Sequence, residues 1–314
     1  MPSIGYEVVA ISSETRDIKR IEVKPSAPIP MVWTAGAHVR VSLSQGGERS
    51  YSLLRLPGLR PGHLALGVLR EAQSTGGSTF MHALKPGGKI RISNPTNHFE
   101  LGDHADLAVL IAGGIGITPI LSMAAELASS GRAFEVHYAG RSEGMLAFVK
   151  EMQEICGDRL HLHYDDQASK MDLYDILGRA PEGAHVYFCG PAGMIEAVKS
   201  VSSNLGWPTE RVHYELFSAA ANTVENTAFD VEIHSTGQIV HVPSDKTIIE
   251  ALEEAGLDPL YDCQRGDCGI CQCDVIEGTP EHRDVILTDA EKAANNVMQI
   301  CVSRSKTPKL VIDI

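Results

Sequence analysis

The chain lacks any apolar run long enough to cross a bilayer. Its longest, Leu107 to Ile117, carries three glycines and falls well short of the ~20 residues a spanning helix needs, so no membrane association is expected. Positive charge is also scarce: 27 Lys and Arg stand against 40 Asp and Glu, for a formal charge of −13. That balance repels nucleic acid and favours a partner with a basic docking face. No apolar leader stands at Met1-Pro2-Ser3-Ile4-Gly5-Tyr6-Glu7, and the seven cysteines are therefore expected in a reducing compartment, the cytoplasm, where thiols remain available to a metal. An H-E-x-x-H motif is missing, which removes the zinc-protease class. The alternating pair His161 and His163 reads as ordinary strand packing.

What is present divides into three units. Residues 1–104 hold short alternating segments punctuated by glycine and proline, among them Glu7–Ile11, Lys19–Val23, His38–Leu43, Leu64–Leu69 and Lys89–Ile92. Such spacing predicts an antiparallel barrel. Over 105–222, strand-like runs (Ala108–Ala112, Phe134–Tyr138, His161–Tyr164, Val186–Cys189, Val212–Phe217) alternate with helical patterns (Pro119–Ser129, Met145–Ile155, Met194–Asn204), the signature of a doubly wound parallel sheet. Ser218 to Ala228 has no apolar period and reads as a linker. From 229 to 314 the pattern predicts a hairpin around Val231 and Val242, a short helix over Thr247–Ala255, and strands at Cys273–Ile276 and Leu310–Ile312.

The last unit carries the most specific signal. Cys263, Cys268 and Cys271 are spaced C-x4-C-x2-C, and Cys301 follows later; this is the plant-type spacing of thiolate ligands to a 2Fe-2S cluster. Glycines at 266 and 269 let the loop curl around a compact cluster and aim N–H groups at its sulfurs. A zinc site would use two close Cys or His pairs, and here only one C-x2-C exists. Cys273 reads as a buried strand residue.

The middle unit carries two glycine turns, each following an apolar strand and opening a helix: Gly113-Gly114-Ile115-Gly116-Ile117-Thr118-Pro119 and Cys189-Gly190-Pro191-Ala192-Gly193-Met194. Glycine permits close approach of backbone to phosphate, and helix N-termini offer free N–H groups. Two such turns on one sheet edge point to a dinucleotide. Asp165 and Asp166, after the third strand, suit ribose hydroxyls and would repel a 2′-phosphate, which favours NADH over NADPH. In the first unit, Arg49-Ser50-Tyr51-Ser52-Leu53 places a guanidinium beside an aromatic, a pairing that suits a phosphorylated planar ligand. Gly76-Gly77-Ser78-Thr79, before a helical stretch, offers N–H groups and hydroxyls to the same phosphate.

In this order the motifs resemble the phthalate dioxygenase reductase family along the whole chain: R-x-Y-S, then GGIGITP and CGPxGM, then the four-cysteine ferredoxin pattern. The resemblance implies a multidomain fold, with an antiparallel β-barrel flavin domain, an α/β nucleotide-binding domain and a β-grasp-like α+β plant-type ferredoxin domain. It implies that Arg49 binds the phosphate of FMN, that Tyr51, Ser52 and Leu53 line the flavin, and that Gly77 and Ser78 complete the phosphate site. Gly114, Thr118, Cys189, Gly190 and Pro191 would lie along the path of NADH, with Ser52, Cys189 and Phe217 nearest the reacting rings. It further implies a terminal Rieske-type oxygenase as electron acceptor, met transiently by a monomer. Two alternatives stay open: an FAD-dependent reductase serving another monooxygenase, and a redox-sensing electron-transfer module without turnover.

Overall fold

The computed structural model describes residues 3–27, 31–44, 46–71, 74, 76–167, 169–217 and 226–314. The chain clusters into two compact units, Met1–Glu215 and Leu216–Ile314. Most of the expected linker, 218–225, lies outside the described residues.

The first unit opens with β1 (Ser3–Ser13), β2 (Ile18–Pro25), β3 (His38–Ser42), β4 (Glu48–Ser52), β5 (Leu64–Leu69), α1 (Gly77–Ala83) and β6 (Lys89–Ser93). The six strands form an antiparallel sheet ordered β4-β3-β6-β1-β2-β5. Its two edges meet: Leu53, directly after β4, bridges Leu66 of β5, and the Leu54 N–H donates to the Ala65 carbonyl at 3.0 Å. Closure removes the exposed edges and makes the predicted barrel. Alternation sends Val8, Ile21, Val39, Leu66 and Ile92 into a fully buried core. Helix α1 begins at Gly77, so Gly77 and Ser78 belong to its first turn rather than to a loop before it.

The same unit continues with β7 (Ala108–Gly113), α2 (Ile117–Ser130), β8 (Phe134–Gly140), α3 (Val149–Cys156), β9 (Leu160–Tyr164), α4 (Leu173–Arg179), β10 (His185–Cys189), α5 (Ala192–Asn204) and β11 (Val212–Glu215). These strands make a parallel sheet ordered β11-β10-β7-β8-β9. Helices α2 and α3 pack together, as do α4 and α5. Three expectations shift. The helix expected from Met145 starts at Val149, because Phe148 sits at φ 59° and interrupts it. The run Val212–Phe217 ends as a strand at Glu215. Helix α4 has no counterpart in the sequence reading; its start is marked by Asp172, whose carboxylate accepts the Asp175 N–H at 3.1 Å.

The second unit holds β12 (Phe229–Ile233), β13 (Ile239–Val242), α6 (Ile248–Glu254), β14 (Gln272–Glu277), β15 (Pro280–Glu281), α7 (Asp289–Ala294), β16 (Val297–Gln299), β17 (Arg304–Ser305) and β18 (Lys309–Asp313). Five strands form a sheet ordered β13-β12-β18-β14-β16, with β12 and β18 parallel and α6 buried against it. Both helices start with a reciprocal capping box, Thr247 with Glu250 and Thr288 with Glu291, a signature readable in T-x-x-E. The sequence reading found the first and passed over the second. Among the described residues, no helix is long and apolar enough to cross a membrane.

Candidate functional site

The two glycine turns lie at neighbouring strand ends. Strand β7 is flanked by β8 on one side and β10 on the other, so its C-terminal end is the point where the strand order reverses, the usual ligand crevice of open α/β sheets. There the turns pack backbone on backbone. A Cβ added at Gly116 would overlap the Cys189 carbonyl and lie 2.7 Å from the Gly190 nitrogen, and one at Gly190 would lie 3.1 Å from the Gly113 Cα. Gly114 differs: it adopts φ +54° and faces open space. Its carbonyl accepts a hydrogen bond from the Tyr138 hydroxyl at 3.1 Å, which in turn accepts the Ala147 N–H at 3.0 Å. Burial raises the Tyr138 phenol above its ordinary range, keeping it protonated as a donor. In the sequence Tyr138 is indistinguishable from any strand aromatic.

Helix α2 then runs from this turn along the barrel. Thr118 donates its hydroxyl to the Ile115 carbonyl at 3.0 Å, and its methyl meets β5, where a Cβ on Gly67 would lie 2.6 Å from Thr118 Cγ2. One turn on, the fully buried Ser122 donates to the Leu53 carbonyl at 2.6 Å and accepts the Arg55 N–H at 2.9 Å. Another turn on, the Glu126 carboxylate accepts the Ala35 N–H at 3.1 Å and pairs with Arg55 at 3.4 Å. Thr118, Ser122 and Glu126 are spaced i, i+4, i+8 and share one helix face. That polar stripe in an otherwise apolar helix was the available signal, and the sequence reading did not use it.

On the barrel, β4 presents Arg49, and its stem lies on the start of α1: a Cβ at Gly77 would be 2.6 Å from Arg49 Cγ. Arg49 and Gly77, predicted to share a phosphate, are therefore neighbours. The Ser78 hydroxyl, next along, accepts the Glu71 N–H at 3.1 Å. Tyr51 packs on the barrel core; burial raises its phenol, against the opposing charge of Arg49, so the ring is a neutral face. Ser52 and Leu53 are buried.

In the second unit the four predicted thiols converge. Cys263 is in hydrogen-bonding contact with Cys268 and Cys301, and Cys301 also with Cys271. The Cys268 and Cys301 thiols push the Cys263 thiol down despite burial, while the same contacts push Cys268 and Cys301 up, so the crowded sulfurs favour a single thiolate among them. The Arg265 N–H donates to Cys263 Sγ at 3.2 Å. Gln299, fully buried, accepts from Cys271 Sγ at 3.4 Å and donates to Gln272 at 3.0 Å. Gly266 stands at φ +79° where a Cβ would lie 2.6 Å from Val302 Cγ2. Cys273, in β14, is buried and its thiol is raised by burial. Asp267, pushed up to about 7 by burial, accepts the Leu216 N–H at 3.1 Å. Four convergent thiols, inward N–H donors and a glycine cradle suit a small iron–sulfur cluster.

Residues 231–306 match the family model for a 2Fe-2S iron-sulfur cluster binding domain, and 89–212 match the N-terminal domain of the dimethylamine monooxygenase subunit DmmA-like proteins. The vanillate O-demethylase oxidoreductase of Pseudomonas sp. strain HR199 is 43% identical over 286 residues, covering 89% of this chain and 90% of that one. The solved phthalate dioxygenase reductase superposes with a TM-score of 0.80 at 32% identity, covering 99% and 98% of the two chains. The chain belongs to the phthalate dioxygenase reductase family. It is a reductase that moves electrons from a pyridine nucleotide through a flavin to a 2Fe-2S centre. The reductase also resembles part of an intact type IV self-sufficient cytochrome P450 monooxygenase, with a TM-score of 0.79 and 33% identity, covering 99% of this chain and 41% of that one.

The remaining predicted residues of the reductase are spread more widely. Asp165 and Asp166 are exposed in the turn after β9, their N–H groups donating to the Gly140 and Arg141 carbonyls at 3.0 and 3.2 Å. That pairing brings Arg141 alongside the two carboxylates, a neighbour the sequence reading did not weigh. Cys189 is fully buried at the end of β10, and Pro191 caps the start of α5. Phe217 stands beyond the end of β11, in the segment that begins the second unit. Gly140-Arg141-Ser142-Glu143-Gly144 fits G-x-S-x-G, a match the sequence reading missed; Ser142 has extended backbone at φ −156° and lacks the strained strand-to-helix elbow that exposes a hydrolase nucleophile.

Proposed function

We propose that this reductase takes hydride from NADH, carries FMN on its barrel, and delivers single electrons from the cluster to the terminal oxygenase of a Rieske-type system, which it meets transiently as a monomer. FMN and the cluster supply the conversion of one two-electron donor into single-electron steps. The observation that carries the reading is the polar stripe of α2, through which Ser122 ties the end of the R-x-Y-S strand to the helix that begins at the nucleotide turn. One rigid element thereby sets the spacing of both ligand-binding segments, as hydride transfer requires of groups that must meet closely.

In this reading the Arg49 guanidinium holds the FMN phosphate together with Gly77 and Ser78, while Tyr51, Ser52 and Leu53 face the ring. Gly114, opened by its positive φ and held by Tyr138, receives the NADH pyrophosphate with Gly190 and Pro191. Thr118 closes the cleft against Gly67 and excludes water. Cys189 and Phe217 lie nearest the nicotinamide. Asp165 and Asp166 take the adenine ribose. Cys263, Cys268, Cys271 and Cys301 ligate the two irons. The likeness to a P450 chain supports a second reading, in which the acceptor is a different monooxygenase; FAD in place of FMN is the alternative flavin.

Mass spectrometry of the flavin released by acid separates FMN from FAD. NADH is expected to exceed NADPH clearly in kcat/KM; equal efficiencies would remove Asp165 and Asp166 from the ribose site. Electron delivery to the oxygenases encoded beside this gene identifies the acceptor.

A further inference from the structure

The β8–β9 edge of the parallel sheet gathers side chains that the electron path does not use. Glu135 and His137 are i, i+2 on β8, and His161 and His163 are i, i+2 on β9, so each pair projects from one side of its strand; the register sets His137 directly against His161. Donor atoms of Glu135, His137 and His161 all lie within 4.8 Å of one another. The hydrogen bonds determine which nitrogen carries each proton when the rings are neutral. The Ser169 carbonyl only accepts, so His163 Nδ1, 3.1 Å away, is the protonated nitrogen. His163 Nε2 is then an acceptor, and His137 Nδ1, 3.0 Å away, donates to it. That leaves the lone pair of His137 Nε2 aimed at the Glu135 carboxylate, 3.3 Å away. Two acceptors face each other across that gap, and such an arrangement calls for a cation.

We propose that Glu135, His137 and His161 form a binding site for one borderline divalent transition metal, Zn2+ being the reference ion. The donor set of two imidazoles and a carboxylate, with a fourth position open, is the set such ions take. His163 and the Ser169 carbonyl orient His137 from behind, as the outer hydrogen bonds of metal-binding histidines do. The donors must close to the ~3.3 Å separations that Zn–N bonds of ~2.0 Å imply, which side-chain rotation of the half-buried His161 can supply. The place is held by Arg179, whose half-exposed guanidinium lies 3.5 Å from both Glu135 and His137 Nε2. It is the counter-cation that a metal would displace.

The test uses untagged protein with flavin and cluster in place, so that the cluster cysteines are occupied. Zn2+ is offered by equilibrium dialysis and bound metal is counted by mass spectrometry, with Co2+ as a spectroscopic substitute. About one Zn2+ per chain is expected beyond the iron. His161→Gln abolishes it while leaving the flavin and cluster spectra intact, His163→Gln weakens it by about 10- to 100-fold, and Arg179→Gln tightens it. Failure of the wild type to retain Zn2+, or equal retention by His161→Gln, overturns the site and leaves Arg179 as its permanent cation.

Discussion

In the cluster loop, Gly266 and Gly269 stand at φ +79° and +76°, conformations that ordinary residues adopt only with strain. In the paired nucleotide turns, Gly113 and Gly116 have φ −126° and −59°, which any residue tolerates, and glycine is needed because the second turn occupies the space a Cβ would fill, with the side chains of Pro191 and Met194 at Gly113 and the backbone of Cys189 and Gly190 at Gly116. Among the glycines of these two turns, Gly114 alone combines a positive φ with open space. One loop uses glycine to bend around its ligand; the other uses it to bring two ligand-binding turns together. A glycine-rich motif therefore marks a site without saying which glycine touches the ligand.

The sharpest way to separate the two regions is to break one. Cys268→Ser is expected to abolish the EPR signal of the reduced cluster while NADH still bleaches the flavin, because Cys268 lies outside the unit that holds the flavin and nucleotide segments. Cys273→Ser keeps the signal. Loss of the signal in Cys273→Ser and its retention in Cys301→Ser would reverse the ligand assignment.

Breaking the flavin site on the barrel gives a smaller, recoverable loss. Arg49→Ala removes a charge-assisted contact worth about 1.5–3 kcal/mol, and FMN affinity should fall by about ten- to a hundredfold. Flavin titration followed by fluorescence measures this, and excess FMN restores turnover. Unchanged affinity would return Arg49 to the status of a surface-strand residue.

The glycine comparison itself predicts opposite phenotypes for two neighbours. Gly116→Ala overpacks the contact with Cys189 and should cost about 1–3 kcal/mol of stability in thermal unfolding. Gly114→Ala meets no atoms and costs about 1–2 kcal/mol of backbone strain, but it should also raise the KM for NADH if, as proposed, its open face receives the pyrophosphate. If Gly116→Ala raises KM without loss of stability, the steric account of the paired turns is wrong.

The smallest effect concerns pH. Burial holds His213 down to about 4, with the neighbouring His185 and His104 adding to the shift. The unfolded chain binds this proton near pH 6.5 while the folded one resists it, so stability falls as pH drops from about 6.5 towards 4 and is unaffected above that window. His213→Gln should flatten the slope of unfolding midpoint against pH in that range.

Much of this was legible beforehand. The four cysteines and both glycine turns land at the loop or strand end their spacing implied, and Arg49-Ser50-Tyr51-Ser52 lies within a strand, because a ligand's geometry demands residue types at set intervals. Helix α4 was not legible, since its short run Leu173–Arg179 carries too little apolar period to rise above a loop. Tyr138 was not legible for a different reason: it acts through a hydrogen bond to the distant Gly114 carbonyl, and no local pattern announces a partner created by folding; the polar stripe of α2 marks Ser122 but does not name its partner, the Leu53 carbonyl. His161 and His163, read as plain strand packing, show the same limit, because Glu135 and His137 come from another strand.

Anaerobic titration of the purified protein with NADH, read by flavin absorbance and cluster EPR together, tests most directly that one chain links hydride uptake to single-electron delivery. About one and a half equivalents should reduce both centres, two electrons going to the flavin and one to the cluster. A flavin that bleaches fully while the cluster remains oxidised at every NADH level would contradict the account.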